Sequence, residues 1–163
     1  MIIRDAAVKG AIVGEENPNT NDDRFTGVYI GGIAAGLKEM NRKGDNTVEI
    51  KNCQVEMDAD IQMEDGVYAV IGGVLGWTEG NWSGSKADIY GTDAYLDVRC
   101  EADDGFYRTA IGGAVGEANG KTISSVENGI FSLKTSLSGN GFMSGGDANK
   151  AVQIGGVVGR MPG

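Results

Sequence analysis

The sequence contains no histidine, and only two cysteines and two prolines among its 163 residues. Without histidine the chain cannot build a Ser-His-Asp or Cys-His catalytic group, or a metal site with histidine ligands. Two cysteines cannot form a structural zinc site by themselves, because such sites take four ligands. These absences remove the commonest catalytic and metal-binding groups, and we predict a protein that is not an enzyme.

Basic residues are also scarce, with 14 lysines and arginines against 23 acidic residues and a formal net charge of −9. This charge repels the phosphates of nucleic acids and the anionic surface of a membrane. No stretch of the sequence approaches the roughly 18 apolar residues of a membrane-spanning helix. We therefore expect no nucleic-acid partner and no insertion into a membrane.

The two ends of the sequence bear on location. Residues 1–5 lack the charged and apolar regions of a secretory signal. The end at residues 160–163 follows the last repeat directly, without a capping element. We expect a segment of a longer exported chain, extracellular or at the cell surface; the alternative is a protein that stays inside its cell.

Glycine, in contrast, is abundant, with 28 residues. The tripeptide Ile-Gly-Gly occurs four times, starting at Ile30, Ile71, Ile111 and Ile154, with spacings of 41, 40 and 43 residues. A period of about 40 residues is typical of repeat proteins, in which each unit buries its apolar face only against its neighbours. We expect one domain, 1–163, with units at about 1–46, 47–86, 87–121 and 122–163.

Strict alternation of apolar and polar residues precedes the glycine pairs. From Cys53 to Met63 every odd position is apolar, which predicts a half-buried strand. The next unit repeats this pattern from Thr92 to Ala102, at an offset of 39 residues. The equivalent inward residues are Ala6, Val8, Gly10 and Ile12 in the first unit and, after a phase shift at Asn128-Gly129, Phe131, Leu133, Thr135 and Leu137 in the fourth.

An isoleucine lies three residues before each alternating run. The four pairs are Ile3/Ala6, Ile50/Cys53, Ile89/Thr92 and Ile123/Val126. Alternation breaks between the two members of each pair, which indicates a bulge or a corner where the strand changes direction.

A second strand follows each alternating run after an acidic turn, and it continues through the glycine pair. Adjacent glycines in a strand lose packing and backbone entropy, so their recurrence needs a physical reason. We interpret them as close backbone approaches between units rather than as a phosphate-binding loop, because no P-loop pattern accompanies them. They are Gly31, Gly32, Gly72, Gly73, Gly112, Gly113, Gly155 and Gly156.

These patterns predict an all-β repeat protein, a stacked β-solenoid of four units in which equivalent strands pair in register. The alternative is an antiparallel hairpin sandwich or barrel, since Asp-Gly turns also suit a meander. The segment 34–43 is the one candidate for a short helical turn.

The strand start in residues 46–53, followed by Ile-Gly-Gly-Val-Leu-Gly at residues 71–76, resembles the GLUG-type repeats of large bacterial surface and secreted proteins. The resemblance implies an extracellular β-solenoid that serves as a stalk, spacer or adhesive module, and it supplies no catalytic residues. The first unit departs from it by one extra residue between its glycines, and the last by an insertion at residues 138–150. Thr92 and Val126 replace the cysteine found at Cys53.

Both tryptophans lie in one segment after the second glycine pair, with Asn81 between Trp77 and Trp82. Flat aromatic rings stack on sugars, so this segment is a candidate glycan-binding site. The alternative is that the rings cover the end of the stack or pack against Tyr90. Three tyrosines recur before the glycine pairs and predict an aromatic ladder: Tyr29, Tyr68 and Tyr107.

The acidic turns place like charges beside each other in the aligned register, which is unfavourable without a cation. Oxygen ligands in these turns could hold Ca²⁺, although their spacing matches neither an EF-hand loop nor a calcium-binding nonapeptide repeat, and solvated turn carboxylates are the alternative. Paired carboxylates also suit glycoside cleavage, but nothing in the sequence indicates a cleft. The four residues are Glu64, Asp65, Asp103 and Asp104.

Cys53 and Cys100 lie eight strand positions apart in the aligned register, far beyond the reach of a disulfide. We predict two buried free thiols.

The sequence therefore predicts a non-enzymatic structural or adhesive module of a bacterial surface or secreted protein, with a glycan or protein as its ligand. A phage virion protein, such as a tail fibre, tail tip or capsid decoration, is the first alternative, and a fragment of a glycan-processing enzyme is the second. Unpaired strands at both ends of the stack also predict association of copies end to end.

Overall fold

The computed structural model describes residues 1–15, 27–38, 47–63, 68–79, 86–102, 109–119, 122–139 and 152–161. The regular elements in these ranges are sixteen β-strands, four in each unit. The first unit contains β1 (Ile2–Arg4), β2 (Ala7–Glu15), β3 (Gly27–Gly31) and β4 (Ala34–Lys38). The second contains β5 (Thr47–Lys51), β6 (Gln54–Met63), β7 (Tyr68–Gly72) and β8 (Leu75–Glu79).

The third unit contains β9 (Lys86–Tyr90), β10 (Asp93–Ala102), β11 (Thr109–Gly112) and β12 (Val115–Asn119). The fourth contains β13 (Ile123–Glu127), β14 (Phe131–Gly139), β15 (Val152–Gly155) and β16 (Val158–Arg160). Strand β9 begins at Lys86, one residue before the boundary expected from the sequence. None of these elements is a helix long and apolar enough to cross a membrane.

The strands form four sheets, and each sheet takes one strand from every unit. The first sheet has the order β1-β5-β9-β13, the second β14-β10-β6-β2, the third β15-β11-β7-β3 and the fourth β16-β12-β8-β4. All pairings between the described strands are parallel. The antiparallel alternative is therefore wrong, because each strand pairs with its equivalent in the next unit and not with its neighbour in the chain.

The second sheet confirms the alternating pattern and its register. Asp93 pairs with Gln54, which is the expected offset of 39 residues. In β6 every second residue is buried, and β10 buries the same positions. The inward residues of β14 also follow the prediction, since Phe131 pairs with Ala94 and Leu133 with Leu96. Period-two alternation determined this register because a shift by one residue would turn every apolar side chain outward.

A single residue with positive φ forms the corner between the first and second sheets in each unit. These residues are Asp5 (55°), Asn52 (52°), Gly91 (56°) and Asn128 (53°). Asp, Asn and Gly are the residue types that tolerate this conformation. The corner predicted from the break in alternation is confirmed, and the isoleucine segment before it is a separate strand.

The position of the corner shows that the sequence-based alignment of the fourth unit is wrong. Val126, not Ile123, is the equivalent of Ile89, and Ile123 pairs with Ala87. The pairing of β13 with β9 is irregular between Ile123 and Ser125, and beyond this point Val126 lies opposite Ile89. Asn128 then occupies the corner, so no phase shift is needed to bring Phe131 opposite Ala94.

The glycine pair ends one strand and a new strand starts after it. β7 stops at Gly72 and β8 begins at Leu75, so the second predicted strand is in fact two strands separated by a bend. The bend keeps its hydrogen bonds to the next unit: the amide of Val74 donates to the carbonyl of Ala114 at 2.8 Å. Each unit therefore has four strands, where the sequence pattern indicated two.

The expected helical turn at 34–43 is wrong for residues 34–38, which form β4. Ala34 pairs with Leu75 and Gly36 with Trp77. Pairing with the next unit overrides the helical propensity of alanine, which is a weak preference. The remainder of that segment lies outside the described residues.

The apolar core lies between the sheets of the two middle units. Ile50, Ile71, Ile89, Ile111 and Leu75 are all 0% exposed. The equivalent inward residues of the fourth unit are only half-buried. The middle units thus have neighbours on both sides, and the end units on one.

Candidate functional site

In each of the first three repeats the first two glycines contact the following unit. A Cβ atom at Gly72 would lie 2.6 Å from the amide nitrogen of Gly116. A Cβ atom at Gly73 would lie 2.8 Å from the Cβ of Ala94 and would also meet the carbonyl oxygen of Gly113. These distances are well below the ~3.5 Å of favourable contact between nonbonded carbon atoms. The glycines therefore allow the backbones of neighbouring units to approach closely.

A third glycine, three residues after the pair, contacts the preceding unit. Cβ atoms at Gly76, Gly116 and Gly159 would lie 2.7, 2.8 and 2.7 Å from the carbonyl oxygens of Ile30, Ile71 and Ile111, respectively. In the first unit Ala35 occupies this position, because its neighbours Ala34 and Gly36 pair with Leu75 and Trp77. The sequence predicts one extra residue between the glycines of the first unit, and this prediction is wrong. The first unit has the same length here and carries alanine in place of the third glycine.

Trp77, the described member of the predicted glycan-binding segment, lies in strand β8 and is half-buried. Its ring centroid is 5.7 Å from that of Tyr29, at an interplanar angle of 52°. Gly36 lies opposite it on β4 and leaves room for the indole ring. Asn81 and Trp82 lie outside the described residues.

Tyr29 also contacts Tyr68, with ring centroids 5.6 Å apart in an edge-to-face arrangement and a hydrogen bond of 2.7 Å between the two hydroxyl oxygens. The two tyrosines are not equivalent in the stack, because Tyr29 pairs with Val70 and Tyr68 with Gly27. Two members of the predicted aromatic ladder therefore contact each other, from register positions that are not paired. Tyr107 lies outside the described residues. We name Tyr29, Tyr68 and Trp77 the aromatic cluster.

Next to Trp77 in the fourth sheet, Glu117 and Arg160 form a buried ion pair. In the fourth sheet Glu117 pairs with both Trp77 and Arg160. Glu117 is 2% exposed, and its Oε2 lies 3.5 Å from Nη1 of Arg160. The sequence analysis missed this pair. Its signal was present, because opposite charges follow the third glycine in successive repeats.

The outward face of the second sheet is polar and spans all four units. Lys9 forms an ion pair of 2.7 Å with Glu56, and Lys134 forms one of 2.7 Å with Asp97. The hydrogen bond from Lys134 lowers the pKa of the Asp97 carboxyl group, partly opposed by desolvation. Asp97 pairs with Asp58, as expected from the register. Lys134 thus provides a positive charge beside one of these two neighbouring carboxylates, that of Asp97.

The predicted calcium ligands lie outside the described residues: Glu64, Asp65, Asp103 and Asp104. They follow the ends of β6 and β10, which are neighbouring strands. Within the described ranges no three potential metal ligands come together. Calcium binding at the turns remains a prediction.

Both cysteines are buried and free, as predicted. Cys53 lies at the corner and donates a weak hydrogen bond from Sγ to the carbonyl of Lys51 at 3.3 Å. Cys100 pairs with Ile61 and Leu137 in the second sheet. Burial raises the pKa of the Cys100 thiol to about 12, with a smaller contribution from Asp60. The thiol is therefore neutral and unreactive in the folded protein.

Comparison with known proteins gives no match to a family model, to a curated protein or to a solved structure.

Proposed function

We propose that the four units form one β-solenoid, in which each unit is one turn, and that the protein is a non-enzymatic structural module of a bacterial surface or secreted protein. The observation that carries this proposal is the in-register parallel pairing of equivalent strands in all four sheets. The resemblance to GLUG-type repeats supports the same role.

The pairing suits a spacer because it continues through the corners. The amides of Asp5, Asn52 and Gly91 each donate to a carbonyl of the following unit, at 3.1, 3.0 and 2.9 Å. Each added unit lengthens such a stack by about 4.8 Å, the spacing between neighbouring strands. Length can thus increase without a change in cross-section.

Nuclear Overhauser contacts test this arrangement. A solenoid requires backbone contacts between paired residues of neighbouring units: Ile50 with Ile89, Met57 with Leu96, and Ile71 with Ile111. It also requires contacts between Gly116 in the fourth sheet and Ile71 in the third. The close Hα–Hα contacts of antiparallel pairs should not occur between these strands. Observation of that antiparallel pattern would contradict the proposal.

The aromatic cluster is the part of this scaffold that we propose for adhesion to glycan. Tyrosine and tryptophan combine a flat apolar face with a polar edge, and sugars present apolar ring faces bordered by hydroxyl groups. Tyr29 is 38% exposed and Trp77 half-buried, so the cluster borders on solvent and is held by its own ring contacts.

A glycan array tests this assignment with four proteins: the wild type, Trp77→Ala, Trp82→Ala and the control Tyr95→Ala. Tyr95 is an exposed aromatic residue on the second sheet, outside the aromatic cluster. We expect wild-type binding to persist in Tyr95→Ala and to fall at least about tenfold in Trp77→Ala, because stacking on one aromatic ring contributes about 1.4 kcal/mol or more. Circular dichroism checks that each variant is folded. Absence of binding by the wild type, or equal binding by Trp77→Ala, would remove the glycan role and leave the structural one.

We further propose that Ca²⁺ binds the acidic turns. Millimolar Ca²⁺ should then raise the melting temperature of the chelator-treated protein, because a ligand that binds only the folded state stabilises it. Asp65→Asn/Asp104→Asn should not respond, and Asp58→Asn provides a control for general charge reduction. An equal response of all three proteins would indicate nonspecific screening.

A further inference from the structure

The contacts of the glycine bends have a direction along the stack. The first two glycines of a unit contact the unit that follows, and the third glycine contacts the unit that precedes. An interface between two units therefore needs a glycine pair on one side and a third glycine on the other. The three interfaces described within the chain all meet this requirement.

The two ends of the stack differ in this respect. The fourth unit retains its glycine pair, and a Cβ atom at Gly156 would meet no atom of the described residues within 4 Å. The first unit carries the exposed Ala35 where the others have the third glycine. The fourth unit thus presents the surface that accepts a following unit, whereas the first presents a methyl group where a preceding carbonyl would lie.

In the second sheet a second copy of the chain fits the end of the fourth unit. If the register of the second sheet continues, β14 of one copy pairs with β2 of the next, so that Leu133 lies opposite Gly10 and Thr135 opposite Ile12. The outward row places Ser132 opposite Lys9 and Lys134 opposite Ala11, without a like-charge pair. Cross-strand size and charge thus favour the pairing.

We infer that Ala35 prevents the protein from polymerising head to tail, in contrast to the end-to-end association that the unpaired end strands predict. In the geometry of the three internal interfaces, its Cβ would overlap the carbonyl oxygen of Ile154 in the preceding copy, just as a Cβ at Gly76 would overlap that of Ile30. A head-to-tail contact does not close on itself and leads to open filaments, so one methyl group limits the assembly. This inference concerns assembly and does not depend on the proposed glycan role.

Sedimentation velocity over a concentration series tests the inference with the full chain. We expect the wild type to remain monomeric and Ala35→Gly to form species that grow beyond a dimer as concentration rises. Ala11→Gly is the matched control, because Ala11 is an exposed alanine on an end strand of the same unit. Ala35→Gly/Gly156→Ala should return to monomer, because the new methyl group blocks the opposite side of the interface.

Cross-linking determines the polarity of the contact. In the Ala35→Gly background, cysteines at Val13 and Ser136 should become partners across copies, since both positions align with Asp60 and Arg99 in the register. Paired positions on neighbouring strands lie within disulfide reach. Val13→Cys/Ser136→Cys should give a ladder of covalent oligomers, and Ser136→Cys alone should remain monomeric.

Three results would overturn the inference. The first is an Ala35→Gly protein that is folded by circular dichroism yet monomeric at every concentration. The second is a Val13→Cys/Ser136→Cys protein that retains Ala35 and still gives the disulfide ladder. The third is efficient dimerisation of Ser136→Cys alone, which would show that copies meet tail to tail.

Discussion

The third and fourth units place residues at equivalent positions in very different surroundings. Leu96 and Val98 in β10 are 3% and 0% exposed, whereas their partners Leu133 and Thr135 in β14 are half-buried. The strands have the same alternation and the same pairing. The difference comes from the number of neighbours, which shows that a unit of this protein acquires its core from the units on either side.

The largest expected effect compares two glycines at equivalent positions. Gly113→Ala should destabilise the protein by about 3 kcal/mol, because the new Cβ meets the carbonyl of Gly156 and lies 3.1 Å from the Cβ of Phe131. Gly156→Ala should change stability by less than about 0.5 kcal/mol, because no atom of the described part of the chain lies near its Cβ. Urea unfolding monitored by circular dichroism measures both. Similar losses in the two variants would contradict the proposed role of the glycines.

The next effect compares two leucines that pair with each other. Leu96→Ala should cost about 3 kcal/mol, within the range for a fully buried leucine. Leu133→Ala should cost about half as much, because its side chain is covered on one side only. The same urea titrations apply, with unchanged slopes as evidence that the unfolded states are comparable. Equal costs would mean that the end of the fourth unit is covered in solution.

The reaction rates of thiols compare the third and fourth units at one further pair of positions. Cys100 is 1% exposed, and its partner Leu137 is half-buried. In a Cys53→Ala background, Cys100 should react with an aromatic disulfide reagent only on unfolding. Leu137→Cys, with both native cysteines replaced, should react at least about tenfold faster at pH 8. Equal rates would indicate that the fourth unit is as protected as the third.

The raised pKa of Cys100 also predicts a loss of stability at high pH. Its thiol ionises near pH 8.5 in the unfolded chain and near about 12 in the folded protein. Its contribution is therefore complete below about pH 8.5 and is lost as pH rises towards 12. Cys100→Val should show a shallower loss of the urea midpoint between pH 9 and 11. Parallel curves for the two proteins would contradict this.

The smallest expected effect concerns the ion pair that joins the fourth unit to the third. Because Lys134 lowers the pKa of Asp97, this carboxylate contributes stability above its unfolded pKa of about 3.9 and loses the contribution as pH falls through the folded value. Lys134→Met should be slightly less stable at pH 6 and should approach the wild type at lower pH. Lys9→Met is the matched control, since its pair with Glu56 is more exposed. A gap that is independent of pH would point to lost packing.

The alternating strands could be predicted from the sequence in position, register and inward face. Their period of two is a strong signal because each strand is long and has one solvent-exposed face and one buried face. The other three strands of each unit are three to five residues long, too short for a period to appear. For that reason the glycine bend was interpreted as continuous strand, and Ile123 was aligned by residue type with Ile89, whose true equivalent is Val126.

The contacts around the candidate site could be predicted only in part. The proximity of Tyr29 and Trp77 depends on how the third and fourth sheets pack, and no spacing along the chain encodes that packing. The pair of Glu117 and Arg160 could have been found by reading one position past the third glycine. The role of Ala35 was concealed because Gly36, next to it, was aligned with the third glycines.

The connections between the strands of a unit are of two kinds, those of nearly constant length and one of variable length. In every repeat one residue with positive φ makes the corner and two residues make the glycine bend. In the first three units both segments donate hydrogen bonds to the next unit. Between the second and third strands of a unit, by contrast, the chain leaves Glu15, Met63, Ala102 or Gly139 and resumes at Gly27, Tyr68, Thr109 or Val152. That connection varies in length from unit to unit while the registers on both sides of it persist. It is therefore where this scaffold would accept a grafted peptide, displayed at a chosen height along the axis without disturbing the strands beneath.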